Sequence, residues 1–408
     1  MTPVSAAALA APLALPCGAR LANRLAKSAM SEQLADRCAP TADLVRLYER
    51  WGEGGAGLLI TGNVMVDRRA LGEPGNVVVE DERDLELLGR WARAAQRHGA
   101  AAWVQLNHPG RQSPRHLSPE PVAPSAVPLE GFGGAFAPPR ALEAREVEAI
   151  VGRFAAAAAV VARAGFQGVQ VHAAHGYLIS QFLSPRTNHR ADRWGGSLEG
   201  RMRFLLEVVR AIRAALPDGA GLGVKLNSAD FQRGGFTQEE SLEVVRALEA
   251  ERIDLLEVSG GTYEKTAMWE GTARASTRAR EAYFLDYAER VRGVSRLPLM
   301  LTGGFRTLEG MRGALESGAI DVVGLARPMA VEPDLPARLL SGEASAAARV
   351  DVRMGIKRVD DLLEGTWYQH QIWRMARGRR PRPGMGRLEA LPTFVRSLFA
   401  ARGVRRGG

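Results

Sequence analysis

Short runs of aliphatic and β-branched residues alternate along the chain with longer segments in which apolar residues recur at three- and four-residue steps. The short runs are typical of buried strands, and the recurring pattern is typical of helices that bury one face. The runs predict eight strands, at residues 25–30, 57–61, 101–106, 168–172, 222–226, 254–258, 298–302 and 320–324. The segments between them predict eight helices, at residues 41–52, 84–97, 145–164, 198–216, 238–250, 280–293, 307–316 and 332–340.

Eight strand-then-helix units without a longer sequence repeat predict an α/β fold, the (βα)8 TIM barrel, with a doubly wound sheet as the alternative. We predict a barrel domain at residues 1–340 and a helical, Arg-rich C-terminal extension at residues 341–408. Two of the loops after strands are long. One joins the third predicted strand to the third predicted helix at residues 107–143 and contains eight prolines, and the other lies at residues 176–197. Loops of this length are typically lids or binding loops.

Glycine-rich turns follow the last two predicted strands, where residues 302–306 read TGGFR and residues 324–327 read GLAR. Glycines let backbone amides approach an anion closely, and Arg327 can bind a phosphate with two hydrogen bonds. A TIM barrel collects such groups at the carboxyl ends of its strands. The turns therefore indicate a phosphate site, with tight turns of steric origin as the alternative.

Two histidines three residues apart, His172 and His175, follow the fourth predicted strand, and Tyr177 comes directly after them. The imidazoles could donate hydrogen bonds to a substrate, hold a metal, or be structural. The nearest carboxylate, Asp192, lies 17 residues beyond His175. The Tyr177 phenol could act as a proton donor.

Three further polar residues lie on or beside other predicted strands. Ser31 comes just after the first strand, Gln105 lies at the end of the third, and Lys225 lies within the fifth. An amide that both donates and accepts hydrogen bonds suits the edge of a heterocycle. A buried lysine needs an anionic partner, either a ligand or, as the alternative, a protein carboxylate.

The composition is that of a folded protein, with 46% hydrophobic and 24% charged residues among 408. No apolar run is long enough to span a bilayer, so we predict a cytoplasmic protein without membrane contact. The formal net charge of +9 lies entirely in residues 374–408, which hold ten Arg and one acid. Residues 377–386 lack aromatics to stack on bases, which argues against nucleic-acid binding. The two cysteines, Cys17 and Cys38, are too few for a metal cluster and are interpreted as structural thiols.

The tail itself has two apolar segments. Residues 367–373 are aromatic and could pack on a barrel, and residues 391–401 return to helical spacing with a cationic opposite face. Such a segment suits docking on a neighbouring subunit, so we predict a homo-oligomer.

Together these motifs resemble the old yellow enzyme family of flavin-dependent ene reductases. The resemblance covers residues 23–340, and its longest element is HAAHGYLISQFLSPRTN from His172, followed by DRWGGSLE from Asp192. Asn23-Arg24, QLNHPGRQ from Gln105 and both glycine-rich turns occur in the order and spacing of the family.

The resemblance implies an FMN at the barrel mouth. Gln105 would bond its pyrimidine edge, Lys225 would lie by N1 and O2, and Ser31 would lie on the N5 side. The full set of residues implied for the cofactor is Ala29, Met30, Ser31, Gly62, Gln105, Lys225, Gly303, Gly304, Ala326 and Arg327, of which the last four would hold the phosphate.

The same resemblance implies the chemistry. His172 and His175 would bind the carbonyl oxygen of an α,β-unsaturated substrate, hydride would pass from N5 to the β-carbon, and Tyr177 would protonate the α-carbon. Larger relatives add a cysteine-ligated cluster and a second dinucleotide-binding domain. This chain has neither the cysteines nor the length, so we expect NAD(P)H to reduce the flavin in a ping-pong cycle. The alternatives are a metal-dependent barrel hydrolase or lyase using the histidines, and a binding module acting through the tail.

Overall fold

The computed structural model describes residues 6–260, 284–350, 357–386 and 389. Eight parallel strands form the barrel: β1 Leu25–Lys27, β2 Leu58–Met65, β3 Ala101–Asn107, β4 Gly168–Ala173, β5 Gly221–Asn227, β6 Leu255–Ser259, β7 Leu299–Thr302 and β8 Val322–Leu325. A ninth, short strand of the same sheet, Val77–Val78, pairs with the carboxyl end of β2. Each barrel strand pairs with the next, and β8 pairs with β1, so the sheet closes on itself. The TIM barrel is confirmed, and the doubly wound alternative is wrong because such a sheet stays open.

Helices follow the strands around the outside of the barrel. They are α1 Ala42–Glu53, α2 Leu85–Gln96, α3 Ala144–Arg163, α4 Leu198–Ala215, α5 Gln238–Ala250, α6 Leu285–Arg292, α7 Leu308–Glu316 and α8 Leu335–Ser341. A further helix, α9 Lys357–Ala376, belongs to the C-terminal extension. Residues 280–283 of the predicted sixth helix lie outside the described residues.

Three differences between predicted and observed boundaries have a visible cause. The first strand ends at Lys27 instead of residue 30, because the chain leaves the ladder after Ser28, whose N–H donates to the Leu325 carbonyl. The second strand continues through a bulge to Met65, since it pairs with β3 along that whole length. The predicted helix at residues 332–340 begins at Leu335, and a separate short helix, Arg327–Val331, precedes it.

The barrel interior is filled by large apolar side chains near the amino ends of the strands. Trp103 is fully buried there and packs with Leu58 and Leu255. Its ring fits because glycine faces it, and a Cβ at Gly221 would lie 2.2 Å from the ring. A hairpin of strands Leu13–Ala14 and Arg20–Leu21 adds Leu21 to the same cluster. These apolar side chains fill the amino end of the barrel and leave its carboxyl end for polar side chains.

Both long loops contain regular structure. The loop at residues 107–143 holds a 3-10 turn, Gly110–Gln112, and a strand pair, Val122–Ala123 with Arg140–Ala141. The loop at residues 176–197 contains a buried helix, Leu178–Leu183, which the sequence analysis missed. That helix has only six residues, too few for a helical apolar period to be recognised in the sequence.

The extension packs against the barrel through α9. Trp367 and Trp373 are buried, which agrees with the packing predicted for the aromatic segment. The division at residue 340 stays a prediction, and residues 391–401 lie outside the described residues. In the described part of the chain, no helix is long and apolar enough to cross a membrane. Cys17 and Cys38 are free and partly buried, and burial raises the pKa of both thiols.

Candidate active site

The two glycine-rich turns meet at the carboxyl ends of β7 and β8. Gly303 and Gly304 both have positive φ, 134° and 87°, a backbone conformation that side chains disfavour. Within the described residues, their amide N–H groups donate to no protein acceptor. The helix α7 follows directly, with Thr307 at its N-cap. Free amides beside a helix N-terminus suit an anion.

Arg327 begins the short helix after β8, and its side chain is one-third exposed. Its Nη1 donates a 2.6 Å hydrogen bond to Oε1 of Glu364 on α9. The guanidinium is therefore held by the C-terminal extension, a contact that no sequence motif indicated.

A buried polar network crosses the barrel interior from β3 to β7. The Lys225 ammonium lies 2.9 Å from Glu257 Oε1, as the alternative interpretation of a strand lysine predicted. Gln170 donates to Glu257 Oε2 at 2.7 Å and accepts from the Gln105 amide at 2.7 Å. Thr302 donates to Glu257 Oε1 at 2.7 Å. The structure thus brings Gln105 and Lys225 into one network.

Sequence reasoning missed Gln170 and Glu257, although a signal existed. Gln105 is in register with Gln170, and Lys225 is in register with Glu257. Paired positions on neighbouring strands face the same side of a sheet. Polar residues at matching positions therefore indicate a shared interior layer.

The segment after β1 is held by two glutamates. The Ser31 hydroxyl donates to the Glu73 carboxylate, and Glu32 Oε1 accepts the Gly62 N–H at 2.7 Å. A Cβ at Gly62 would lie 2.2 Å from Glu32 Oε2 and 2.3 Å from the Met30 carbonyl. Gly62 therefore allows β2 to approach this segment closely. Ala29, Met30 and Ser31 lie together in it and are partly buried.

Glu32 also belongs to a buried charged cluster outside the barrel wall. Tyr48 donates its hydroxyl to Glu32, and the Lys27 ammonium lies 3.9 Å from the same carboxylate. Burial lowers the pKa of Lys27 to about 8, with the Glu32 charge opposing the shift. The Trp51 ring lies 4.3 Å from the ammonium and gives further cation–π stabilisation.

His172 and His175 lie together with Tyr177. The imidazole centroids are 5.0 Å apart, and the Tyr177 ring is 4.7 Å from that of His172. Burial is the main cause that lowers the pKa of both histidines well below 6.5, and Lys225 adds to it. Both imidazoles are therefore neutral at pH 7. Asn63 Nδ2 donates to the Tyr177 hydroxyl at 3.4 Å.

The two imidazoles are not equivalent. Nδ1 of His172 accepts the Ala174 N–H at 3.3 Å, which assigns the proton of the neutral ring to Nε2. Nε2 of His175 is paired with the Ser259 hydroxyl at 2.8 Å. No group of three or more His, Cys, Asp and Glu suited to a metal occurs among the described residues.

The donor set suits FMN. Backbone amides and the Arg327 guanidinium match a phosphate, and the Gln105 amide and Lys225 ammonium match a pyrimidine edge. Asn63 Oδ1, on the position in register with Gln105, is buried and has no hydrogen-bond partner among the described residues. An unpaired buried polar atom calls for a ligand or water partner. These residues could therefore hold FMN at the barrel mouth.

The sequence model of the NADH:flavin oxidoreductase / NADH oxidase family matches residues 9–345. The NADH-dependent flavin oxidoreductase iliE of Hypocrea jecorina is 41% identical over 353 residues, which are 80% of this chain and 87% of that protein. The structure of a 2-naphthoyl-CoA reductase complex superposes with a TM-score of 0.78 at 28% identity, covering 83% of this chain but 52% of the other. An old yellow enzyme homologue from Zymomonas mobilis gives a TM-score of 0.72 at 27% identity, covering 84% of this chain and 95% of the other.

The match spans every strand of the barrel and both glycine-rich turns, and its extent excludes a local similarity. It confirms the predicted enzyme class and FMN as the cofactor, and the metal-dependent and binding-module alternatives are wrong. The chain therefore belongs to the NADH:flavin oxidoreductase / NADH oxidase family and is an FMN-dependent flavin oxidoreductase.

Proposed function

We propose that this flavin oxidoreductase is an ene reductase, which takes hydride from NAD(P)H and reduces the activated C=C bond of α,β-unsaturated carbonyl compounds in a ping-pong cycle. The observation that carries this proposal is the pair of neutral imidazoles, His172 and His175, with the ring of the Tyr177 phenol 4.7 Å from that of His172. Uncharged donors and a separate proton source are what the reduction of a polarised double bond requires.

The histidines would bind the substrate carbonyl oxygen. Because Nε2 of His172 carries the proton of a neutral ring, it can donate to that oxygen. Ser259 fixes the ring of His175 through Nε2. The hydrogen bonds would draw electron density from the β-carbon and stabilise the negative charge that develops on the oxygen.

Tyr177 would deliver a proton to the α-carbon. The Asn63 amide donates to the phenol oxygen, so it would stabilise the negative charge left on that oxygen when the proton departs. Asn63 would therefore support the proton transfer from Tyr177.

The remaining site residues would hold the cofactor. Bound FMN supplies the hydride carrier of the reaction. Lys225 would stabilise negative charge at the pyrimidine edge, and Gln105 would bond that edge. Ser31 would lie beside N5, and Gly62 would admit the close packing around it. The other residues proposed for the cofactor are Ala29, Met30, Gly303, Gly304, Ala326 and Arg327.

The test is NAD(P)H oxidation without oxygen, with enones, maleimides and nitroalkenes as acceptors. We expect oxidation that depends on the acceptor and yields the product saturated at the C=C bond, with no reaction of isolated alkenes. Parallel lines in double-reciprocal plots would support the ping-pong cycle. NAD(P)H oxidation that occurs with oxygen but with none of the activated alkenes would overturn the ene reductase proposal.

We further propose that the enzyme is a cytoplasmic homo-oligomer that binds small molecules and no nucleic acid, with its tail contacting a neighbouring subunit. The tail holds ten of the arginines and one acid, and it alternates cationic and apolar segments. Deletion of residues 377–408 should lower the number of subunits in the assembly, which light scattering measures. An unchanged number of subunits would mean that the tail lies in solvent and does not hold subunits together.

A further inference from the structure

The C-terminal helix α9 lies beyond the part of the chain that the family model matches. That match ends at residue 345, and α9 spans Lys357–Ala376. The helix nevertheless packs against α1 and against the short helix that begins with Arg327. An element beyond the residues that the family model matches therefore contacts residues proposed to hold FMN.

The most direct contact is the ion pair between Arg327 and Glu364. The Nη1–Oε1 distance is 2.6 Å, and the two side chains are 33% and 16% exposed. The pair is therefore partly desolvated, which strengthens it relative to a surface pair. A guanidinium has five N–H donors, so the bond from Nη1 leaves other donors for a phosphate.

A second contact joins α9 to the segment after β1. The backbone carbonyl of Glu32 accepts hydrogen bonds from Gln369 Nε2 at 2.6 Å and from Trp373 Nε1 at 2.9 Å. The carboxylate of the same residue accepts the Gly62 N–H. The helix thus supports two separate parts of the proposed cofactor site, and both supports come from within one chain.

We propose that α9 is part of the FMN site, and that Glu364 is a positioning residue that holds Arg327 for the phosphate. An unrestrained arginine must lose side-chain freedom when it binds a ligand. The bond to Glu364 fixes the guanidinium beforehand, and this preorganisation outweighs the repulsion between the carboxylate and the phosphate. The inference rests on the proposed assignment of Arg327 to the phosphate.

The test compares FMN with riboflavin, which lacks the phosphate, in binding to the full-length chain after flavin removal. Quenching of flavin fluorescence gives both dissociation constants. Glu364→Ala removes the partner of Arg327, whereas Glu364→Gln keeps an oxygen that accepts the hydrogen bond. We expect Glu364→Ala to weaken FMN binding about tenfold, the size typical of coupled neighbouring residues, and to leave riboflavin binding unchanged. Glu364→Gln should restore most of the FMN affinity.

The matched control is Glu251→Ala. Glu251 pairs with Arg210 and is 17% exposed, close to the value for Glu364, but it lies just after α5, towards the amino end of the barrel. This variant should bind both flavins like the unaltered chain. A loss in the control equal to that in Glu364→Ala would assign the effect to general stability and overturn the proposal.

Two results for Glu364→Ala would also overturn the proposal. One is FMN binding that is unchanged or tighter, which would mean that repulsion outweighs positioning. The other is equal weakening of FMN and riboflavin, which would mean a structural role only. Arg327→Gln distinguishes the assignment of Arg327 to the phosphate from the positioning role of Glu364. If it leaves FMN binding unchanged, the assignment of Arg327 to the phosphate fails. If it weakens FMN binding while Glu364→Ala does not, only the positioning role fails.

Discussion

Lys225 and Glu257 lie in register on the neighbouring strands β5 and β6, with the ammonium 2.9 Å from the carboxylate. Both side chains are at most 5% exposed. The barrel therefore carries a buried pair of opposite charges where the sequence alone showed a single cation. A flavin that gains negative charge on reduction would be stabilised by Lys225 and opposed by Glu257. Removing the charge of Lys225 and removing the charge of Glu257 should therefore shift the flavin reduction potential in opposite directions.

Lys225→Met should lower the flavin reduction potential, because the negative charge gained on reduction loses its cation. Glu257→Gln should raise the potential, because a competing negative charge is removed. We expect shifts on the order of 30 mV, about 1.4 kcal/mol for a two-electron couple. Spectroscopic titration against a reference dye measures both. Shifts of the same sign would show that the two residues do not act on the flavin through their charge.

Breaking a buried ion pair also destabilises the fold, by about 3–5 kcal/mol when one charge is left alone. Lys225→Met leaves the Glu257 carboxylate without its cation. The double variant with Glu257→Gln should recover much of the stability and keep the flavin bound. Urea unfolding of the single and double variants provides this control.

Tyr177→Phe keeps the ring beside His172 and removes the proton. Reduction of the enzyme by NAD(P)H should persist, and its reoxidation by enones should slow by roughly 10²–10⁴-fold, the usual effect of a positioned acid. Asn63→Ala should slow the same step by a smaller factor, since it removes only the donor to the phenol oxygen. Stopped-flow measurement of the two half-reactions tests both. Unchanged reoxidation in Tyr177→Phe would assign the proton to another donor.

The fold and much of the site follow from sequence pattern. All eight strands and eight helices of the barrel were predicted, because apolar periodicity reports the buried face of an element directly. The grouping of His172, His175 and Tyr177 follows from their position at and just beyond the carboxyl end of β4. Gln170 and Glu257 could also have been predicted as site residues, because the strand register pairs them with Gln105 and Lys225.

Other contacts could not be read from the sequence. Glu364 lies 37 residues after Arg327 in a segment without a motif, and Ser31 pairs with Glu73, which lies 42 residues later, beyond α1 and β2. Such pairs depend on where one element docks on another, which residue spacing along the chain does not specify. The buried helix Leu178–Leu183 was missed for another reason, because its six residues are too few for helical periodicity to be recognised.

The histidines should differ in their effect on ligand binding. In the described part of the chain, the Nε2–H of His172 has no hydrogen-bond partner, whereas Nε2 of His175 is paired with Ser259. His172→Ala should weaken binding of the phenolate of 4-nitrophenol by about 1.5–3 kcal/mol, the range for hydrogen bonds to charged groups. His175→Ala should have a smaller effect, and neither variant should release FMN. The charge-transfer absorbance of the complex gives the affinities, and a larger effect of His175→Ala would contradict this assignment.

The exposed tip of the loop at residues 107–143 should influence substrate preference. Its turn at residues 131–134 has three glycines with positive φ and open space around them. Arg111 anchors the base of the tip by donating to the backbone carbonyls of Val127 and Pro128. Removal of residues 130–135 should therefore shift the preference among enones of different size without loss of FMN. Identical kcat/KM ratios across an enone series would show that the tip is not a flap over the site.

His108 gives a prediction about stability and pH. The residue is buried, and its Nδ1 accepts the Gly110 N–H at 3.1 Å, which requires an unprotonated Nδ1. Burial lowers the pKa of His108 from 6.5 to about 4, and the neighbouring Asp67 opposes the shift. The unfolded chain therefore takes up this proton near pH 6.5, before the folded chain does. The stabilisation is complete above pH 6.5 and is lost as the pH falls to about 4.

This histidine alone should reduce the free energy of unfolding by about 1.4 kcal/mol for each pH unit between about 6 and 5. His172 and His175 act in the same direction, because their pKa values are also lowered. The comparison of the unaltered chain with His108→Asn isolates one residue, since all other groups titrate in both. Urea unfolding at pH 7.5 and pH 5.5 should show a smaller loss of stability in His108→Asn. An equal loss in both proteins would mean that His108 takes up its proton in the folded chain as readily as in the unfolded one.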